Sequence, residues 1–230
     1  QLSDDDAPRV SVIVPALNEE RNLALVVPAI PSWVDEVILV DGWSTDRTVQ
    51  VARRLRPDIR VVTQPGKGKG DALRAGFAAA TGDIIVAIDA DGSTDPREIP
   101  AFVGALLAGA DYAKGSRFMQ GGGTADMTLV RRLGHGMLVQ LVRLTFGCNF
   151  SDLCYGYNAF WREHLPTLAL DADGFEIETL MNLRALRARL KVVEVHSYEA
   201  PRSYGESRLR AIPDGLRVLR TILSERFIGR

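Results

Sequence analysis

Short apolar runs rich in β-branched residues alternate with amphipathic stretches through the first half of the chain. Val10-Ser-Val-Ile-Val14 predicts a strand, and residues 18–29, opened by Asn18-Glu19-Glu20, predict a helix. Val37-Ile-Leu-Val40 predicts a second strand, followed by a helix over 46–55 that Ser44 or Thr45 would cap. A third strand is expected over 59–63, an alanine-rich helix over 70–81, a fourth strand over 83–88 and a helix over 96–108. Strands separated by helices in this way predict a mostly parallel sheet wound on both faces. Ligands of such sheets gather at the carboxyl ends of the strands. Three polar segments fall there: residues 15–19, 41–46 and 89–95.

After residue 110 the alternation loosens. A strand is expected over 112–117, a glycine loop at Gly121-Gly-Gly123, a helix over 128–146, and a loop and strand over 148–160. A helix over 175–190 and a strand over 191–195 follow. The tail, 212–227, is a further helix with Leu216, Leu219, Leu223 and Phe227 on one face, flanked by Arg217, Arg220 and Arg226. It either lies on an anionic membrane face or docks on its own domain or a dimer mate. The expected organisation is a flexible head over 1–8, one α/β domain over 9–210 and an amphipathic C-terminal helix over 211–230.

Composition narrows this picture only slightly. The 230 residues suit one domain, and 28 basic side chains nearly balance 29 acidic ones, so no global field recruits nucleic acid. Cys148 and Cys154 lack metal-ligand spacing and read as reduced, half-buried thiols of a cytoplasmic protein. No apolar stretch approaches the roughly 20 residues of a membrane span, and no signal peptide is visible. A cytoplasmic location, at most at the inner face of the membrane, is expected.

The chemistry concentrates in Gly82-Asp-Ile-Ile-Val-Ala-Ile-Asp-Ala-Asp-Gly92, an apolar run ending in two carboxylates. Positions two apart on a strand face the same side, so Asp89 and Asp91 can aim at one point. Two hard oxygen donors suit Mg²⁺ or Mn²⁺ on a diphosphate, although Asp-x-Asp-Gly also makes an ordinary acidic turn. The context separates the two. Pro15-Ala-Leu-Asn-Glu-Glu20, Val40-Asp-Gly-Trp-Ser-Thr-Asp46, Gly66-Lys-Gly-Lys-Gly-Asp-Ala-Leu73 and Asp89-Ala-Asp91 occur in order. Together they resemble the nucleotide-sugar glycosyltransferases of family 2, with the GT-A fold. Gly115-Ser-Arg-Phe118, then Gly121-Gly-Gly123, Arg131-Arg132 and Arg202-Ser-Tyr-Gly-Glu-Ser-Arg208 extend the likeness to polyprenyl-phosphate (dolichyl-phosphate) mannose and glucose synthases.

The resemblance implies a GT-A sheet, mostly parallel with helices on both faces, and inverting transfer of a hexose from a UDP- or GDP-sugar. It implies a divalent metal, Mg²⁺ or Mn²⁺, held by Asp89 and Asp91, with Ser93 standing where the nearest synthases carry a glutamine. The nucleotide sugar would be met by Pro15, Leu17, Glu19, Asp41, Lys67, Asp89, Ala90, Asp91, Arg117, Arg202 and Arg208. A polyprenyl phosphate acceptor would be met by Arg117 and Arg131, with Arg132 and Arg210 competing for the roles of Arg131 and Arg208. Guanidiniums suit such a reaction because it gathers several phosphates in one place. Peripheral membrane contact would follow from a lipid acceptor.

Several alternatives stay open at this point. Asp41 can contact base or ribose, or cap a turn; Glu19 can contact nucleotide or simply favour a helix dipole. Lys67 and Lys69 can touch phosphate or stay solvated. Residues 121–124 read as a mobile loop closing over the donor. A saccharide or small-molecule hydroxyl acceptor would need a carboxylate base, with Asp152 first, Glu176 next and Glu178 after them. His135, His164 and His196 read as structural residues, and Tyr155, Tyr157, Phe160 and Trp161 as core. Gly42 beside Trp43 leaves the base undetermined, and Ser151–Asn158 departs from the synthases' acceptor stretch. A nucleotidyltransferase is disfavoured because Val14 is followed by Pro15-Ala-Leu-Asn-Glu. A non-catalytic sugar-nucleotide binder is the remaining reading of another class.

Overall fold

The computed structural model describes residues 7–227; residues 1–6 of the expected head and 228–230 of the tail lie outside that range. In chain order the strands are β1 (Val10–Ala16), β2 (Glu36–Asp41), β3 (Arg60–Thr63), β4 (Ile84–Ala87), β5 (Tyr112–Ser116), β6 (Gly123–Thr124), β7 (Asn158–Trp161), β8 (Val192–His196) and β9 (Tyr198–Glu199). Seven of them form one sheet in the order β3-β2-β1-β4-β7-β5-β8, and β6 pairs with β9 apart from it. Only β7 runs antiparallel, against β4 on one side and β5 on the other.

Central strands carry apolar residues on both faces because both are covered. Val12, Val14, Val37, Leu39, Ile84 and Val86 join one apolar cluster, while Ile13, Ile38, Val40, Ile85 and Ala87 join the other. The first face is covered by α1 (Leu23–Val26), α2 (Thr48–Leu55) and α4 (Ile99–Leu107). The second is covered by α3 (Lys69–Ala79), α6 (Leu165–Leu168) and α7 (Ile177–Arg187). A third cluster joins α5 (Leu129–Phe146), α7 and α8 (Ala211–Phe227) around Val142, Phe150, Leu153, Leu183 and Ile222. Tyr155, Tyr157 and Phe160 are core, as expected, with Tyr157 stacked on Phe102 at 4.1 Å.

Four local expectations are corrected. The helix expected over 18–29 shrinks to α1 and a 3-10 turn at Val27–Ala29. Asn18 takes a positive φ of 58°, and the amides of Glu19 and Glu20 donate to Thr48 and Asp46, so this stretch is tied sideways instead of winding. Neither Ser44 nor Thr45 caps α2. Asp46 accepts from the Thr48 amide, while Ser44 and Thr45 bond Asn18. Residues 123–124 are a paired strand rather than part of a free loop.

The tail helix also turns a different face inward. It buries Asp214, Val218, Ile222 and Glu225, and leaves Leu216, Leu223 and Phe227 exposed. Two ion pairs set this rotation: Glu225 is held by Arg184 and Arg187 of α7. Leu129, Val130, Leu133, Met137 and Leu144 of α5 are exposed as well, so the packed α5–α8 pair carries apolar side chains outward.

Candidate active site

Two cavities meet at the carboxyl end of β4. One, of about 350 Å³, is lined by Pro15, Leu17, Glu19, Gln64, Lys69, Asp89, Ala90, Asp91, Arg202 and Arg208, among others. The loops after β1 and β4 form its floor. Residues 200–208 cross its mouth, because the Ala200 amide donates to Ser93, the Ser203 amide to Asp91 and Arg208 to the carbonyl of Leu17. Tyr204 fixes the middle of this strap: its carbonyl accepts from Asn22, and Arg21 lies 3.9 Å from its ring centre.

Most residues expected at a nucleotide sugar come together here, but three do not: Asp41, Lys67 and Arg117, the last of which lines the second cavity. Asp41 is buried in a turn, accepting from the Ser44 amide, and does not line the cavity. Lys67 is exposed and also lies outside the lining. Lys69 takes the inward position instead, with its Nζ 2.6 Å from Asp89 and 2.7 Å from Glu178. Burial opposes its charge, yet the two carboxylates hold the ammonium well above the ordinary lysine range. Arg202 makes the matching contacts on the other side, pairing with Asp91 at 3.3 Å and with Glu19. Burial pushes the Glu19 and Glu178 carboxyls above the ordinary range.

Gly68 and Gly156 make this geometry possible. Gly68, at φ +97°, lies against the backbone of Asp173, whose carbonyl accepts from the Gly70 amide; the Asp171-Ala-Asp-Gly174 turn thus props up the lysine loop. A Cβ on Gly156 would stand 2.6 Å from both Asp89 Oδ2 and Lys69 Nζ. Gly156 does not stand out as a site residue in sequence, and Lys69 shares its glycine-rich loop with Lys67, so the pattern offers both lysines without choosing between them.

The donor set suits a hard divalent cation. Asp89 and Asp91 offer carboxylate oxygens, and Ser93 a hydroxyl, at one cavity wall. No group of three or more His, Cys, Asp or Glu side chains able to hold a metal occurs among the described residues. Substrate oxygens and water would complete the shell, as Mg²⁺ and Mn²⁺ accept.

The second cavity, of about 320 Å³, runs from Lys69, Asp89 and Asp91 past Arg117, His135 and Tyr155 to the gap between α5 and α8. Its outer walls are Met127, Val130, Leu138, Leu209, Ile212 and Val218. Arg117 and Asp152 belong to a buried network beside it. Arg117 donates to both oxygens of Asp152 at 2.7 and 3.0 Å and to both oxygens of Glu199 at 3.0 and 3.1 Å. His135 adds a 2.9 Å contact to Asp152, and Tyr155 lies 4.9 Å beneath the guanidinium.

Asp152 therefore does not fit the role of a general base. It is fully buried and does not line the cavity. Burial alone would raise its pKa, but Arg117 and His135 hold it well below the ordinary carboxylate range. Glu176 accepts from the Gly174 amide ahead of α7 and does not line the cavity either. Glu178 does, through its place beside Lys69. Arg131 lines the cavity and pairs with Asp126 at 3.4 Å.

Comparison with known proteins now bears on this geometry. The model described as Glycosyl transferase family 2 matches residues 11–168. The chain belongs to this family. A dolichol-phosphate mannosyltransferase of Pyrococcus furiosus is 32% identical over 88% of this chain, which spans 59% of that protein's length. A polyprenol monophosphomannose synthase of Mycolicibacterium smegmatis is 33% identical, covering 87% of this chain and 81% of that one. Among solved structures, glucosyl-3-phosphoglycerate synthase of Mycobacterium tuberculosis with Mn²⁺, uridine-diphosphate-glucose and phosphoglyceric acid matches at a TM-score of 0.77 and 30% identity. That match covers 96% of this chain and 80% of the other, and the same synthase is also known with Mg²⁺ and uridine-diphosphate. This family 2 glycosyltransferase therefore has the GT-A fold expected of it, with a C-terminal helix packed on α5 and α7.

Proposed function

We propose that this glycosyltransferase moves a hexose from a nucleoside diphosphate sugar to a polyprenyl phosphate, using Mg²⁺ or Mn²⁺ at Asp89 and Asp91. The observation that carries the acceptor is the second cavity: charged at Asp89 and Asp91, apolar between α5 and α8, and opening at exposed Val130 and Ile212. A water-soluble acceptor has no use for that wall, whereas a prenyl chain gains by leaving water along it. The relatives named for dolichol and polyprenol phosphates support the same choice.

In this reading the donor lies in the first cavity, with its diphosphate between Lys69 and Arg202. A divalent ion held by Asp89 and Asp91 would offset the charge of the leaving diphosphate. The acceptor phosphate enters from the second cavity near Arg131 and attacks the anomeric carbon from the face opposite the diphosphate, inverting it. A phosphate oxygen is already anionic at neutral pH, so the commitment of Asp152 to Arg117 costs this reaction nothing. Arg117, neutralised by two carboxylates, shapes the wall between donor and acceptor; we assign phosphate contact to Arg131 before Arg117.

Exposed arginines and apolar residues of α5 and α8 would set this face against an anionic bilayer, where such an acceptor resides. No helix among the described residues is long and apolar enough to cross one. A second reading, a small phosphorylated acceptor, is favoured by the phosphoglyceric acid complex of the structural neighbour. The deciding experiment supplies UDP- and GDP-sugars with Mn²⁺ and offers a short polyprenyl phosphate, 3-phosphoglycerate or a free sugar. Transfer to the polyprenyl phosphate is expected; faster transfer to either soluble acceptor would overturn the lipid assignment.

A further inference from the structure

We propose that Lys69 and Arg202 are resident counter-ions which release Asp89 and Asp91 only when a nucleoside diphosphate arrives, so that metal and donor bind as a coupled pair. The inference rests on the donor reading above and concerns how that site fills.

Each carboxylate expected to hold the metal is already paired with a cation from the chain: Asp89 with Lys69, Asp91 with Arg202. Each cation also has a second acidic partner, Glu178 for Lys69 and Glu19 for Arg202. Those partners are more buried than the metal-facing pair, with side-chain exposures of 3% and 8% against 25% for Asp89 and 23% for Asp91. The cations can therefore let go of the outer carboxylates without losing all compensation. Lys69 has a defined slot for this, since it and Asp89 both lie against the bare Cα of Gly156.

A divalent ion arriving alone at Asp89 and Asp91 meets an ammonium and a guanidinium already in place, and like charges at such distances repel. A diphosphate arriving alone meets two carboxylates. When both arrive, the metal takes the carboxylates and Lys69 and Arg202 turn to the diphosphate oxygens, so that every charge keeps an opposite neighbour. The chain's own donors are too few to hold the metal unaided, as no cluster of three acidic, His or Cys ligands exists among the described residues. Positive coupling between the two ligands follows, and it is reciprocal.

Calorimetric titration of the whole chain with Mn²⁺, with UDP, with GDP, and with Mn²⁺ at saturating UDP or GDP tests this. Saturating nucleotide is expected to tighten Mn²⁺ binding by about tenfold or more, within the usual span of coupling energies. Lys69→Met and Arg202→Met should each bind Mn²⁺ alone more tightly than wild type and show a smaller gain from nucleotide. Arg202 lies on the surface strap, so its variant serves should Lys69→Met fail to fold. Wild-type Mn²⁺ affinity that ignores a bound nucleotide overturns the exchange, as does unchanged or weaker binding of Mn²⁺ alone in the folded variants. Failure of the wild type to bind either nucleotide with Mn²⁺ would instead remove the donor reading itself.

Discussion

The cavity proposed for the donor and the cavity proposed for the acceptor share Lys69, Asp89 and Asp91 yet are built on different principles. On the donor side, parallel strands deliver short loops to one edge, and backbone geometry aims the side chains. On the acceptor side, a web of buried charge sets the shape: Arg117 reaches 35 residues to Asp152 and 82 to Glu199, and Asp152 reaches 17 to His135. Lys114, fully buried, bonds the Asp152 carbonyl and Glu194, while Ser151 donates to the same glutamate. Asp89 and Asp91 are thus partly open, each paired with one cation. The acceptor-side charges are closed in and hold the fold. Damage to the first should remove function and spare stability; damage to the second should do the reverse first.

The largest expected effect is on the donor side. Asp91→Ala should reduce metal-dependent transfer by about a thousandfold or more, the scale on which charge-stabilising groups act. Its thermal midpoint should stay close to wild type, because the side chain contacts one loop amide and one arginine that keeps Glu19 as a second partner. Retained turnover would break the metal assignment, and a large drop in midpoint would break the contrast between the two regions.

Asp152→Asn is the opposite test. Removing one charge of a buried pair typically costs about 3–5 kcal/mol, so this variant should unfold at markedly lower denaturant. Because Asp152 is held below its ordinary value of 3.8, its ionised form contributes stability that is fully present above that value. That contribution is lost as the pH falls through the depressed folded value. The stability gap between wild type and variant should therefore be full at neutral pH and close in strong acid. A gap that stays constant with pH would mean that shape, not charge, matters at this position.

The same contrast governs how much could be read from the sequence. The order of strands and helices in the first half and the Asp89–Asp91 pair just beyond β4 depend on local pattern and periodicity, and the structure keeps that order while shortening the helix expected over 18–29. Three things were illegible. Asp152 looked like a free base because its partners lie elsewhere along the chain, Arg117 just past β5 and His135 in α5. Lys69 and Lys67 are equivalent in sequence, and only the support of Gly68 and Gly70 by the 171–174 turn decides which points inward. The face that α8 buries was not readable, because it includes the charged residues Asp214 and Glu225, and Glu225 is buried through its pairing with two arginines of α7.

A smaller effect is expected where the two cavities join. Gly156→Ala would set a Cβ 2.6 Å from Asp89 Oδ2 and Lys69 Nζ, forcing both side chains to shift. Displacement of that size at a reacting centre can cost up to about a hundredfold in rate, so turnover should drop about 10- to 100-fold. Unfolding free energy should change by less than about 1 kcal/mol, since both moved atoms are ends of side chains. Unaltered turnover would show that Asp89 can reorganise freely, and the tight slot would lose its meaning.

The mildest change probes the outer wall of the acceptor cavity. Val130 and Ile212 are 71% and 73% exposed, yet both line that wall, one from α5 and one from α8. Replacing both with Asp should leave stability within about 0.5 kcal/mol, because exposed positions rarely contribute more. Donor hydrolysis in the absence of acceptor should also stay unchanged, since neither residue lines the first cavity. For a polyprenyl phosphate the same substitutions remove apolar contact and add negative charge beside an anionic bilayer. KM for that acceptor should rise by about four- to fifteenfold, corresponding to one or two lost methylene-sized contacts at about 0.8 kcal/mol each. An unchanged KM for the lipid acceptor would mean that its chain leaves by another route. The apolar wall between α5 and α8 would then have to be explained by something other than the acceptor.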